Sequence, residues 1–155
     1  MVDRQDVGGW LDGPAAHRAE ATDYWPGKDL RMPREGTGSI ARFGRRLAAV
    51  AVDWFLCELV AVVLFHVRIP AQGAASFMPL GLFLVENLLL VSTVGSTVGH
   101  RLVGLRVGAL GQPSLSPVQV VVRSVLLCLF IPAVVWDKNQ RGLHDRVAGT
   151  VIVRT

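Results

Sequence analysis

Five polar side chains stand where the surrounding residues suit hydrocarbon: Asp53 and Glu58, Glu86 and Asn87, and Arg123. Each ionisable group costs roughly 2.5–3.5 kcal/mol to place in a membrane helix, so it normally faces protein or water. Such groups can carry protons or sodium ions, or they can neutralise one another as fixed ion pairs. A second dense motif, "RGLHDRVAGTVIV", sets His144 beside Asp145. Neighbours on a helix or strand point apart, and no Ser or Cys is spaced to complete a triad, so no catalytic residue and no enzyme activity are expected. Asp145 is better suited to accept hydrogen bonds from Arg46 or Arg141.

The elements that carry these residues are apolar. The chain has 155 residues, of which 51% are hydrophobic, and its mean hydropathy is +0.42. The apolar residues gather in three segments, 47–65, 77–98 and 118–136, each near the roughly 20 residues a helix needs to cross about 30 Å of hydrocarbon. A soluble domain of this size cannot bury three helices on every face. The expected fold is therefore an all-α membrane protein with three hydrophobic segments. The first segment follows a long polar stretch, unlike a cleavable signal peptide, and should remain as an anchor. Residues 1–36 read as a polar, disordered cytoplasmic leader, and 37–155 as the membrane domain. Ser39 could cap a short basic helix, "IARFGRR", leading into the first span.

Cys57 and Cys128 lie in apolar segments without C-x-x-C spacing or a histidine cluster, which indicates neither a disulfide nor a metal site. No cofactor is expected. The net charge of +4 suits a membrane surface, and no aromatic-basic patch points to nucleic acid.

Basic residues orient the chain. Arg31, Arg34, Arg42, Arg45 and Arg46 precede the first segment, whereas the first connection holds only Arg68. Arg101 and Arg106 lie in the second connection, and Lys138, Arg141, Arg146 and Arg154 in the tail. This places the N-terminus on the cytoplasmic side of a plasma membrane. Three full crossings would put seven basic residues inside and five outside; a third segment that dips in and returns, broken at Pro132, gives eleven against one. "GLRVGALGQPSLSP" and "GTVIVR" both have β character and could pair if the tail is cytoplasmic, making a small interfacial β element.

At about 1.5 Å per residue, Asp53 lies about 10 Å and Glu58 about 18 Å beyond Arg46, and Arg123 about 8 Å into its own segment. Matching depth suggests an Asp53–Arg123 ion pair, while Glu58 and Glu86 both fall near the midplane. Arg46, Asp53, Cys57, Val60 and Leu64 share one helical face. Ala48, Ala49 and Ala51 in the first segment, and Gly95, Ser96 and Gly99 near the end of the second, would allow close helix approach.

The stretches "RRLAAVAVDW", "STVGHRLVGLRV" and "VVRSVLL" followed by "RGLHDRVAGTVIVR" together resemble the RDD family of small membrane proteins, over about residues 39–155. Thr97, Val98, Gly99 and His100 depart from a family Thr-Pro-Gly-Lys pattern. The resemblance singles out Arg46, Asp53 and Asp145, and implies either sodium–proton antiport or an accessory role in membrane complexes. The expected role is a non-enzymatic accessory or scaffold protein of a larger membrane complex or homo-oligomer, in contact with membrane lipids. In it, Arg46, Asp53, Arg123 and Asp145 join the first and third segments. The rival is an oligomeric cation–proton antiporter with Asp53, Glu58 and Glu86 as carriers.

Overall fold

The computed structural model describes residues 24–129 and 140–155. The chain is mostly helical with a two-stranded sheet. In order come α1 (Phe43–Val63), α2 (Met78–Val94), the short α3 (Val98–Leu102), β1 (Leu105–Ala109), α4 (Pro117–Cys128), α5 (Leu143–Ala148) and β2 (Thr150–Arg154). Residues 24–36 form successive turns, with the Trp25 indole N–H donating to the Met32 carbonyl at 3.0 Å and the Lys28 ammonium 5.1 Å from the Trp25 ring.

Local chemistry sets the helix ends. Pro79 sits in the first turn of α2, where its missing N–H costs nothing, and Gly95 ends that helix at φ 75°. Ser116 and Gln119 form a reciprocal capping box on α4, with Pro117 as its first residue. Thr97 caps α3 by accepting from the His100 N–H.

Among the described residues, one helical stretch is long and apolar enough to cross a membrane: Gly73–Val94, 22 residues of mean hydropathy 1.8. α1 has 21 residues but carries Arg45, Arg46, Asp53 and Glu58. Only the first part of the third apolar segment, as α4, is described; Pro132 and the rest of 118–136 lie outside the described residues.

The two β-like stretches do pair. β1 and β2 are antiparallel, with Leu105 opposite Arg154 and Ala109 opposite Thr150. Residues 38–41 join the far edge of β2: Ile40 bridges Val153, and the Ala41 N–H donates to the Ile152 carbonyl at 2.9 Å. Ser39 therefore does not cap a helix. It is buried, its hydroxyl donates to the Gly36 carbonyl at 2.6 Å, and α1 starts only at Phe43. A long-range strand contact outcompetes the local helix signal there.

These pairings gather the start of α1, β1 and the C-terminal strand at one end of the molecule. Ala41, Ala49, Val91, Leu105, Val107, Val120 and Ile152 form the apolar core that binds the sheet to the helices. A smaller cluster of Cys57, Phe83 and Leu127 lies further along the helices, beside a tilted Trp54–Phe83 ring contact at 6.0 Å. The buried seam of α1 is Arg46, Ala49, Asp53, Cys57 and Ala61. Val60 and Leu64, expected on that face, are exposed. Steps of four residues drift around the helix by about 40° each, and so reach Ala61 instead.

Candidate functional site, a buried polar core

Asp145 occupies the first turn of α5, and none of its surface is exposed. One carboxylate oxygen, Oδ2, accepts from Arg46 Nη1 at 3.0 Å. The other, Oδ1, accepts from Arg123 Nε at 2.9 Å and from the Thr150 hydroxyl at 3.0 Å. A single side chain thus joins α1, α4, α5 and β2. The two arginines are buried with it. Arg46 also donates to the backbone carbonyls of Ala41 at 3.1 Å and Ile152 at 3.4 Å, reaching the edge segment 38–41 and the central strand β2. Arg123 extends to the Asn87 side-chain oxygen at 3.5 Å, and the Asn87 amide donates to the Phe83 carbonyl at 3.0 Å, which brings in α2.

Burial pushes the Asp145 carboxyl up, but the charges of Arg123, His144 and Arg46 outweigh it and hold the group well below the usual carboxylate range. It is a permanent anion. His144 stands 3.5 Å from the same carboxylate.

Asp53 is equally buried, but its partners differ from the expected ones. Its carboxylate accepts from the Gly99 N–H at 2.5 Å and from the Thr97 hydroxyl at 2.6 Å, so it closes the start of α3. The expected direct ion pair with Arg123 is not the contact made; Arg123 turns to Asp145 and Asn87 and acts on Asp53 only through its charge. Equal depth put the two residues at one level, but helix rotation aimed them at different neighbours. The close approach is possible because residue 99 is glycine. A Cβ there would collide with the Ala49 carbonyl and the Asp53 carboxylate.

His100 packs behind Asp53, its Nδ1 2.5 Å from the Thr97 hydroxyl oxygen and 3.9 Å from Asp53. Burial, aided by the Arg123 charge, lowers its pKa to about 3, so the ring stays neutral. Thr97, His100 and Asp53 together evoke a catalytic relay. All three are at most 2% exposed, however, and every polar atom of Thr97 and Asp53 is spent on internal contacts.

The remaining carboxylates separate. Glu86 accepts from the Cys57 thiol and from the Val98 N–H, each at 3.4 Å, and comes within hydrogen-bonding reach of Asp53. Glu58, expected at a similar depth, is not among its partners. Glu58 is half-buried and has no hydrogen-bond or ion-pair partner among the described residues. Among the described residues, no three His, Cys, Asp or Glu side chains converge as a metal ion would require.

Asn87 and Thr97 were not singled out as partners by the sequence, although both left a signal. Asn87 stands next to Glu86 in an apolar helix, and Thr97 occupies the helix-starting position of "TVGHRL".

The fold combines one apolar helix of membrane-spanning length with a buried Arg–Asp–Arg core. The family model of the RDD family matches residues 40–149, and the chain belongs to that family of membrane proteins. Arg46, Asp53 and Asp145 all lie within the match. No curated protein and no solved structure matches the chain.

Proposed function

We propose that this protein is a non-enzymatic accessory or scaffold subunit, held in the membrane as an α1–α2 hairpin and docking to a larger membrane complex or to a second copy of itself. The observation that carries this reading is Glu58. It lies about 18 Å along α1 from Arg46, at roughly 1.5 Å per residue, among the exposed apolar side chains Phe55 and Leu59. A carboxylate without an internal partner at that depth calls for a polar companion from another chain. Among the described residues of the apolar segments, Asp53, Glu86 and Arg123 are bonded inward, as a rigid core that presents an outer face would require.

In this reading the N-terminus and the tail are both cytoplasmic. The sheet of residues 38–41, β1 and β2 supports that arrangement, because it ties the tail to the arginine-rich start of α1. The third segment would then enter and return.

The test is association in mild detergent. Wild type is expected to run as a defined oligomer, or with a stoichiometric companion from native membrane, and to form crosslinks from a photoreactive residue at position 59. Glu58→Leu should abolish both while leaving the melting temperature in place. A monomer without companion or crosslink would sink the reading.

The antiporter alternative draws on one observation, the nearness of Glu86 to Asp53. Proteoliposomes of pure protein decide it. A sodium-dependent proton flux that vanishes in Asp53→Asn and survives in Arg68→Gln, in the loop between α1 and α2, would replace the scaffold reading.

A further inference from the structure

The arginine-rich end of the molecule is concave. A depression of about 200 Å3 is lined by Arg34, Arg42, Arg45 and Arg154, with Glu35 and Ser39 beside them. Four guanidinium groups and one carboxylate leave an excess of three positive charges around it. Glu35 is engaged by Arg42 at 3.4 Å, and Arg45 is anchored to the Val103 carbonyl at 3.1 Å. The Arg34 and Arg154 side chains have no hydrogen-bond or ion-pair partner among the described residues. Like charges held this close repel, and among the described residues only Glu35 offsets them; a bound anion would do so further.

The position narrows the anion. Arg154 is on β2 and Arg45 in the first turn of α1, so sheet and helix fix the two sides of the depression. Leu47, two residues beyond Arg45, is already 55% exposed, which is about 3 Å along the axis. The arginines therefore stand where polar headgroups give way to acyl chains. Guanidinium forks match phosphate oxygens in pairs, and basic pockets at the cytoplasmic side of membrane helices suit anionic headgroups.

We infer that this depression is a binding site for the phosphate headgroup of an anionic phospholipid. The inference rests on the membrane reading above, and the experiment separates the two. Full-length protein is reconstituted in phosphatidylcholine vesicles and washed with carbonate, and its bound lipid is then measured in detergent by native mass spectrometry against mixed phosphatidylglycerol and phosphatidylcholine. Wild type should prefer phosphatidylglycerol by about tenfold, in line with the attraction of one or two arginines for an anionic surface. The Arg34→Gln/Arg154→Gln pair should lose most of that preference, and Arg68→Gln, at the opposite loop, should keep it. The Arg34→Lys/Arg154→Lys pair retains the charge and should fall between them, which keeps the test valid should the glutamine pair fold poorly. Undiminished preference in the lysine pair would reduce the site to general collar charge and overturn it. Complete displacement of the lipid by millimolar inorganic phosphate would overturn the lipid assignment in favour of a free anion. Protein that stays with the vesicles without any headgroup preference sinks the site alone; protein stripped off by carbonate sinks the membrane reading with it.

Discussion

The two ends of the helical layer are built on different physics. At the arginine-rich end, α1, α4, α5 and the sheet converge on buried charges whose polar atoms are matched at 2.5–3.0 Å by Arg46, Arg123, Thr150, Thr97 and the Gly99 backbone. Further along, the contact thins to Cys57, Phe83 and Leu127, and Phe55, Leu59, Val63 and Leu64 are left exposed. Directional bonds specify a single arrangement; an apolar contact facing lipid does not, because acyl chains are as apolar as leucine. Register is set at the charged end, and the far end is left adaptable for lipid or a partner.

The comparison breaks most directly at Asp145. Replacing it with Asn removes the anion and leaves two guanidiniums facing each other in a dry site, with an expected loss of about 3–5 kcal/mol. Thermal melting in detergent should show this as a collapsed transition. The same core predicts that apolar replacement of the whole cluster is milder than loss of one member. The triple variant Arg46→Met, Asp145→Leu, Arg123→Met should melt above Asp145→Asn, since a matched apolar set leaves no charge unpaired. A triple variant less stable than the single would show that the bonds, and not the balance of charge, hold this end.

Acid should attack the same end. The folded His100 sits at about 3, below its ordinary value of 6.5. On acidification the unfolded chain binds this proton first. Stability should then be flat above pH 6.5 and fall between 6.5 and 3, with Asp145 adding a second loss below 3.8, its ordinary value, because its folded pKa is depressed. Melting temperature against pH checks the sign; a rise on acidification would contradict the neutral, buried histidine. His100→Gln should flatten the upper part of that curve.

Gly99→Ala probes the charged end by shape alone. Its backbone has no special conformation, so the whole effect is the collision with Ala49 and Asp53, at an expected cost of about 1–3 kcal/mol. At the far end, Phe83→Leu shrinks a contact that lipid or neighbouring side chains can refill, and should cost less than about 1.5 kcal/mol in detergent. Equal losses at the two positions would erase the distinction between the ends.

How much of this was legible in the sequence follows the same division. The Arg46–Asp145 bond and the β1–β2 pairing could be anticipated, because residue type and β-branched runs mark them without reference to the third dimension. Asp53 was recognised as a buried carboxylate, but its partner was missed. Depth along a helix is a linear quantity, whereas the direction of a side chain depends on a rotation that accumulates error with each turn. The same error misplaced Val60 and Leu64. Ser39 failed for another reason: the bridge from Ile40 to Val153 spans about three quarters of the chain, and no local pattern announces it.

The smallest expected effect is the most discriminating. Glu58→Gln removes a charge that touches no described partner, so the stability of the isolated chain should move by no more than about 0.5 kcal/mol. If the far end is adaptable because another protein covers it, association should nevertheless weaken, as the partner's polar group loses its counter-charge. A variant that melts and associates like wild type would mean that Glu58 faces lipid or water at no benefit, and the far end would then be a passive surface. A variant that melts lower would mean that Glu58 has an internal role, and the division into a specified end and an adaptable one would have to be redrawn at that residue.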